Sequence, residues 1–426
     1  MEVIQNVACT KCGCVCDDLQ VSVENGRVHA VSGACKLSES WFLEQDTQQP
    51  PSAAINDQPV EIPSAIEYAA DLLLKSQAPL IFGLSRSSSD GQRAAVQLAD
   101  KVGAIIDTTA SLCHAPSIMA IQHVGESTCS LGEIKNRADL VIFWGVDPVQ
   151  SHPRHFERYS VDPVGEFVPN GRSDRTVIVI DSERTQTADA ADIFLPVEPG
   201  TDFEMIWMLR SLLRGESPTE DAYSGIPIDQ LTELADRMKS CRCGVVFFGL
   251  GLAHQQLGHL NVEALLRLVT ELNAYTRFHA RRMRMHGDVT GADCVLCWQT
   301  GFPFGVNLGR GYPQYNPSEF SANDLFERGE VDLCLFVGGE SVPHMSPAAR
   351  RYLETIPTIL LDHPTVPVHF QPQLRFTTAV YGVHLPGVVY RMDEVPIPLR
   401  QILPTTYPSD AEILQRITDA FVNVCG

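Results

Sequence analysis

The sequence predicts an α/β protein: a small cysteine-rich N-terminal β module, followed by Rossmann-like domains built on parallel sheets. Three observations carry this reading. Four cysteines fall within residues 8 to 19, "ACTKCGCVCDDL". Beyond residue 60, amphipathic helical stretches alternate with short apolar runs, the signature of a mostly parallel sheet. Those runs are continuous in Val, Ile, Leu and Phe, as strands buried on both faces are. The expected division of the 426 residues is 1–55, 56–240 and 241–426, in keeping with the usual size of domains.

Composition is that of a globular chain, 44% hydrophobic and 20% charged. A net charge of -20 argues against nucleic acid or an anionic membrane surface as partner. There is no 18-residue apolar run, and "MEVIQNVACTK" lacks the regions of a signal peptide, so the sequence reads as cytoplasmic. In that compartment the thirteen cysteines are expected as thiols, either buried or bound to metal.

Cys9, Cys12 and Cys16 follow C-x2-C-x3-C, and Cys35 comes after eighteen intervening residues. Between them "LQVSVENGRVHAV" alternates apolar and polar residues on both sides of Asn25-Gly26, the favoured dipeptide of a two-residue hairpin turn. The hairpin returns Cys35 to the first three thiols. Four converging thiolates suit a [4Fe–4S] cluster or a tetrahedral zinc, and the uneven spacing favours the cluster. Cys14 is surplus to either.

"DTQQPPSAAINDQP", 46–59, reads as a linker. After it come the helical stretches "IPSAIEYAADLLLKS" and "DGQRAAVQLADKVGA". Four apolar runs close on a glycine, at Gly83, Gly145, Gly249 and Gly338, and two close on an acid, at Asp181 and Asp362. The sequence Gly145 then Asp181, repeated as Gly338 then Asp362, looks like a weak internal repeat of nucleotide-style edges. There, glycine admits a phosphate and an acid bonds a hydroxyl. No strict G-x-G-x-x-G or P-loop is present, so NAD and P-loop readings are weak.

"TTASLCHAPS", 108–117, places Cys113 and His114 in a polar loop after an apolar strand, where such folds hold ligands; taken alone, such a pair is more often structural. "YTRFHARRMRMHGDVTG", 275–291, concentrates Arg277, Arg281, Arg282 and Arg284, a cluster suited to a carboxylate or phosphate. "CWQTGFPFGVNLGRGYPQYNPSE", 297–319, reads as an irregular, rigid binding loop. "CVLCW", with Cys294 and Cys297, reads as an apolar strand with buried thiols. Cys241 and Cys243 lack further partners, and "SHPRH", 151–155, is a polar loop that contacts a ligand or caps a helix.

"CTKCGCVCDDL" with Cys35, "SLCHAPS", "WGVDPVQSHPRH", "DSERTQTADAADIFLPVEPGTD" and "LCWQTGFPFGVNLGRGYPQYNP" together resemble the B-type subunit of the formylmethanofuran dehydrogenases, within the molybdopterin oxidoreductase superfamily. The resemblance covers nearly the whole chain. It implies that Cys9, Cys12, Cys16 and Cys35 bind a [4Fe–4S] cluster and that Cys113 binds tungsten or molybdenum held by a bis(pterin guanine dinucleotide). His114 matches the active-site histidine, and Arg284 is chosen over Arg282 to orient substrate. Gly145, Asp147, Asp181, Arg184, Thr185, Gly200, Asp202, Gly249, Gly338 and Asp362 are the expected cofactor-binding positions. The implied chemistry interconverts carbon dioxide and formate. The implied partners are an amidohydrolase-like A-type subunit, a C-type subunit and a D-type subunit that supplies the remaining pterin-binding domain. The family also implies an alternative, a redox-silent scaffold in a bacterial formyltransferase/hydrolase complex.

Overall fold

In the computed structural model, which describes residues 1–255 and 257–425, the first hairpin forms where Asn25-Gly26 places it. Leu19–Glu24 pairs antiparallel with Arg27–Ser32. Both turn residues have positive φ, 53° and 73°, which suits the twist of the flanking strands. Glu2–Val7 adds to the other side of Leu19–Glu24. Cys35 follows the return strand and caps the helix Lys36–Leu43.

Two compact units make up the chain, residues 1–112 with 286–426, and residues 113–285. This division differs from the expected boundaries at 55 and 240, for a physical reason: strands far apart in sequence share one sheet. In the first unit Ile105–Thr108, Pro79–Gly83, Leu333–Val337, Thr358–Asp362 and Leu374–Thr377 lie side by side and parallel. Antiparallel pairs close both edges. One of them, Ala53–Ile55 with Gln58–Pro59, comes from the segment expected as a linker. Its strands are only three and two residues long, too short for composition to signal.

Ile62–Lys75 and Ser89–Val102 are helices, as their periodicity predicts. They cover the sheet together with Asp410–Cys425, burying Leu73, Leu98, Ile413 and Ile417 against Ile81, Leu335 and Ile359. "CVLCW" is helical rather than extended, part of Val289–Thr300. Asp288 caps that helix through the Gly291 N–H, and Gly301 ends it at φ 88°; these two flanks decide what a short apolar run leaves open. Beyond it the glycine-rich segment is pinned as an edge hairpin, Val306–Asn307 against Gln314–Tyr315. Asp107 fastens it by accepting the N–H of Gly305 at 2.9 Å and of Ala322 at 2.7 Å.

The second unit holds five parallel strands in the order Ile193–Pro196, Thr176–Asp181, Leu140–Trp144, Cys243–Phe248, Arg277–Arg282. Ile142, Ile178, Val246 and Phe278 pack on one face against Leu209 and Leu265 of the helices Asp202–Leu213 and Gly258–Leu272. On the other, Phe143 and Phe247 stack at 5.3 Å. No described helix is long and apolar enough to cross a membrane.

Candidate functional site

The thiol-rich loop of the first unit is closed by main-chain bonds, Cys9 N–H to Cys16 O at 2.8 Å and Val15 N–H to Cys12 O at 3.1 Å. Cys9, Cys12, Cys14 and Cys16 are buried and Cys35 half-buried. Burial pushes the Cys9 thiol well up, and charge on Cys12, Cys16 and Cys35 pushes it further. Thus Cys9 lies in the field of the other three expected ligands. Cys14 has a place of its own: its thiol and its N–H bond to the Cys12 sulfur and hold that thiol below its usual range. Among the described residues no three His, Cys, Asp or Glu side chains approach closely enough to hold a single metal ion. A lone zinc needs its four thiolates packed around one atom, whereas a cubane cluster gives each thiolate its own iron.

In the second unit Cys113 and His114 directly precede the helix Ala115–Val124. The Cys113 carbonyl accepts from His254 Nε2 at 2.9 Å. His114 is 2% exposed. Its Nε2–H donates to the Met283 carbonyl at 3.0 Å, and Nδ1 faces the Ser117 hydroxyl at 3.1 Å. Burial drives its pKa well down, and the guanidinium groups of Arg284 and then Arg282 add to that. Burial and the two arginines keep the imidazole neutral, and because a carbonyl only accepts, Nε2 carries its one proton.

Arg284 follows the strand Arg277–Arg282 and is buried. Its carbonyl accepts from His152 Nε2 at 2.8 Å. Two histidines thus fasten the carbonyls of Met283 and Arg284. The "SHPRH" loop supplies the second of them, a positioning role that sequence reasoning left undecided. Arg282 lies 3.9 Å from Glu126 and Arg281 donates to Thr128 Oγ1 at 2.6 Å, so these neighbours are committed to local partners.

The glycine and acid positions of the second unit gather at the carboxyl ends of its strands, the edge where open α/β sheets bind ligands. Gly145 turns at φ 60°, and a Cβ there would meet Leu252 N at 2.9 Å, so only glycine lets the Gly249–Leu252 turn pack beneath it. Asp147 accepts the Thr187 N–H at 3.2 Å. Thr185 caps the short helix Gln186–Asp189, and Arg184 pairs with Asp189. Half-buried Asp181 is raised by burial. Gly200, at φ 81°, leads into Asp202, whose Oδ1 accepts from the Trp144 indole at 2.7 Å and whose Oδ2 accepts from Gln255 at 2.5 Å. Asp202 therefore also locks the edge internally, a role invisible in its sequence neighbourhood.

In the first unit Gly338, at φ 86°, and Asp362 occupy the equivalent edge. Asp362 accepts the N–H groups of Gly339 at 2.9 Å and His363 at 2.8 Å. Arg86 reaches Asp362 and Glu340, each at 3.5 Å, and Ser85 donates to Glu340. Arg86 and Glu340 lie on loops far apart in the chain and carried no motif.

No family model matches the chain. It is 40% identical over 424 residues to the B-type subunit of the tungsten-containing formylmethanofuran dehydrogenase 2 of Methanocaldococcus jannaschii, covering 97% of this chain and 98% of that one. The subunit of the same name from Methanococcus maripaludis is 38% identical over 426 residues, covering 98% of each. Among solved structures, a chain of the formyltransferase/hydrolase complex of Methylorubrum extorquens, crystallised with methylofuran, superposes with a TM-score of 0.73 at 22% identity. That match covers 88% of this chain and 99% of that one. Acetylene hydratase from Pelobacter acetylenicus gives 0.69 at 11% identity over 98% of this chain and 69% of its own length. These two likenesses concern the fold, and they agree with the α/β architecture expected.

Proposed function

The chain belongs to the family of B-type subunits of formylmethanofuran dehydrogenase, and from that premise we propose that it is the redox subunit of such a complex, interconverting carbon dioxide and formate. The observation that carries the proposal is the burial of Cys9, Cys12 and Cys16 in one loop closed by the Cys9–Cys16 main-chain bond, with Cys35 at the head of the helix after the hairpin. These residues are assigned to a [4Fe–4S] cluster. Cys113 is assigned as a protein ligand to tungsten or molybdenum, and the glycine and acid positions from Gly145 to Gly249, with Gly338 and Asp362, as the edges that receive a bis(pterin guanine dinucleotide). When bound, the metal–pterin centre supplies the two-electron chemistry and the cluster the one-electron path.

What the chain itself does is bind and aim. Arg284 offers a fixed charge and a forked donor set to a carboxylate. His114 spends its Nε2–H on the Met283 carbonyl, and His152 spends its own on Arg284. Their first effect is to hold the arginine's backbone in place. With Nδ1 facing the Ser117 hydroxyl and the ring neutral, His114 serves formate chemistry by positioning the arginine without adding a competing cation. Partner subunits supply the remaining pterin-binding domain and the amidohydrolase-like step that joins formate to an amine carrier.

A second reading is a redox-silent scaffold of a formyl-transferring complex, favoured by the likeness in fold to a chain of the formyltransferase/hydrolase complex. Metal analysis and a visible spectrum of the purified complex separate the two. Iron near about four atoms per chain with tungsten or molybdenum near about one supports the redox subunit. A colourless preparation without metal supports the scaffold and ends the first reading.

A further inference from the structure

The unit that carries Cys113 has a second opening, at the opposite end of its sheet from the glycine and acid edge. There the strands Cys243–Phe248 and Arg277–Arg282 begin, with Cys243 and Arg277 paired across them. A cavity of about 690 Å³ lies against these ends, within the usual size of a small-molecule site. Arg137, Arg242, Arg277, Glu133, Phe167 and His279 line it. In a chain of net charge -20, three guanidinium groups meet two carboxylates here, Glu133 and Asp139, and leave one positive charge in excess.

Strand alternation explains how a histidine comes to stand in this wall. Phe278 and Ala280 point into the core, so Arg277 and His279 share the opposite face of the edge strand. His279 is only 7% exposed, yet neither of its ring nitrogens has a hydrogen-bond partner among the described residues. A neutral imidazole carries one donor and one acceptor, and burying both unmade is unfavourable unless something else meets them. The arginines are arranged around it. Arg137 Nε sits 2.9 Å from Glu133 and its guanidinium lies 4.5 Å over the Phe167 ring. Arg242 Nε sits 3.1 Å from Asp139. Arg277 is exposed on the lining.

We infer that this cavity binds a small anion through carboxylate or phosphate oxygens, with Arg277 and His279 as the direct donors and the carboxylate-paired Arg137 and Arg242 as fixed walls beside them. The site is independent of the proposed redox centre.

The test is calorimetric titration of the intact complex with inorganic phosphate and, separately, with succinate, at constant ionic strength. One saturable anion per chain is expected, weakened about tenfold or more by Arg277→Ala and by His279→Leu, with His279→Gln retaining part of the affinity. Arg277 is exposed, so its replacement leaves the core intact and the test stands even if a His279 variant misfolds. Binding of phosphate alone would identify a phosphoryl-bearing ligand, and of succinate alone a carboxylate-bearing one; either result, or binding of both, supports the site when Arg277→Ala weakens it about tenfold or more. Failure of both anions to bind at millimolar concentration, or binding that Arg277→Ala leaves unchanged, overturns the inference.

Discussion

His114 donates its Nε2–H to the carbonyl oxygen of Met283 at 3.0 Å, one residue before the buried Arg284. His152 makes the same kind of bond to the Arg284 carbonyl at 2.8 Å, reaching across 132 positions of sequence. The backbone that bears the arginine is therefore held from two separate loops. Removing one donor leaves a buried carbonyl unmet, which costs about 1–3 kcal/mol. His152→Leu is expected to lose that much stability. In the proposed reaction it should raise the KM for formate more than it lowers kcat, because the arginine is misplaced and not removed. His152→Gln, which keeps a donor, should recover part of both. Thermal denaturation and steady-state formate oxidation measure the two effects; a His152→Leu enzyme with unchanged KM would remove His152 from this role.

Acid should weaken the fold through its buried histidines. Burial pushes His152 and His363 down to about 4 and His155 well below its ordinary value. Burial followed by Arg284 and Arg282 does the same to His114. Unfolded histidines take up protons near about pH 6.5. Between about 6.5 and 4 the unfolded state binds more protons, so the stabilisation is whole above that window and is lost as pH falls through it. The loss is on the order of 3 kcal/mol for His152. Asp107 works in the opposite sense: burial raises it to about 7, so its contribution declines as pH rises. The histidine effect is therefore read as a difference. Urea midpoints of the wild type should drop more steeply from about pH 7 to about pH 5 than those of His152→Gln, and parallel profiles would refute the assignment.

Asp202 connects the edge glycines to the core through the Trp144 indole N–H at 2.7 Å. Asp202→Leu would strand that buried donor, whereas the Gln255 amide keeps the Gly251 carbonyl. The expected cost is about 1–3 kcal/mol for the indole alone, with a shift in tryptophan fluorescence as the ring's environment changes. Trp144→Phe removes the donor together with its need for a partner. Combining it with Asp202→Leu should therefore cost less than the sum of the single changes. Additive losses in a double-mutant cycle would mean the two residues are not coupled.

How much of this was legible depends on the range of the interaction concerned. The Asn25-Gly26 turn and the helices Ile62–Lys75 and Ser89–Val102 rest on local chemistry, and the sequence displays them. The apolar runs closing on Gly145, Asp181, Gly249, Gly338 and Asp362 announce buried parallel strands for the same reason. Their assignment to sheets was not legible, because Pro79–Gly83 pairs with Leu333–Val337 and no local pattern encodes a partner so remote. "CVLCW" misled because a short apolar run fits a buried strand or a helix equally, and only Asp288 and Gly301 at its flanks decide. At the site, Cys113 and His114 are adjacent and visible. His152 under Arg284 and the Arg86–Glu340 pair are joined only in space, and a single sequence gives no sign of them.

The placement of the metal is tested by separating the two sulfur sites. Cys113 is half-buried, and His254 bonds to its carbonyl, a contact that survives loss of the thiol. Cys12 sits in a loop closed by its own carbonyl and takes hydrogen bonds from Cys14. In the proposed enzyme Cys113→Ala should lower formate oxidation by about a thousandfold or more, while the broad visible absorption of an iron–sulfur cluster persists. Cys12→Ala should remove that absorption and the bound iron. Cys14→Ala should keep both but make the cluster harder to reduce, since hydrogen bonds to a ligand sulfur stabilise the reduced state. If Cys113→Ala retains activity, that residue is not the metal ligand. If Cys12→Ala retains its iron and colour, the N-terminal thiols do not hold a cluster.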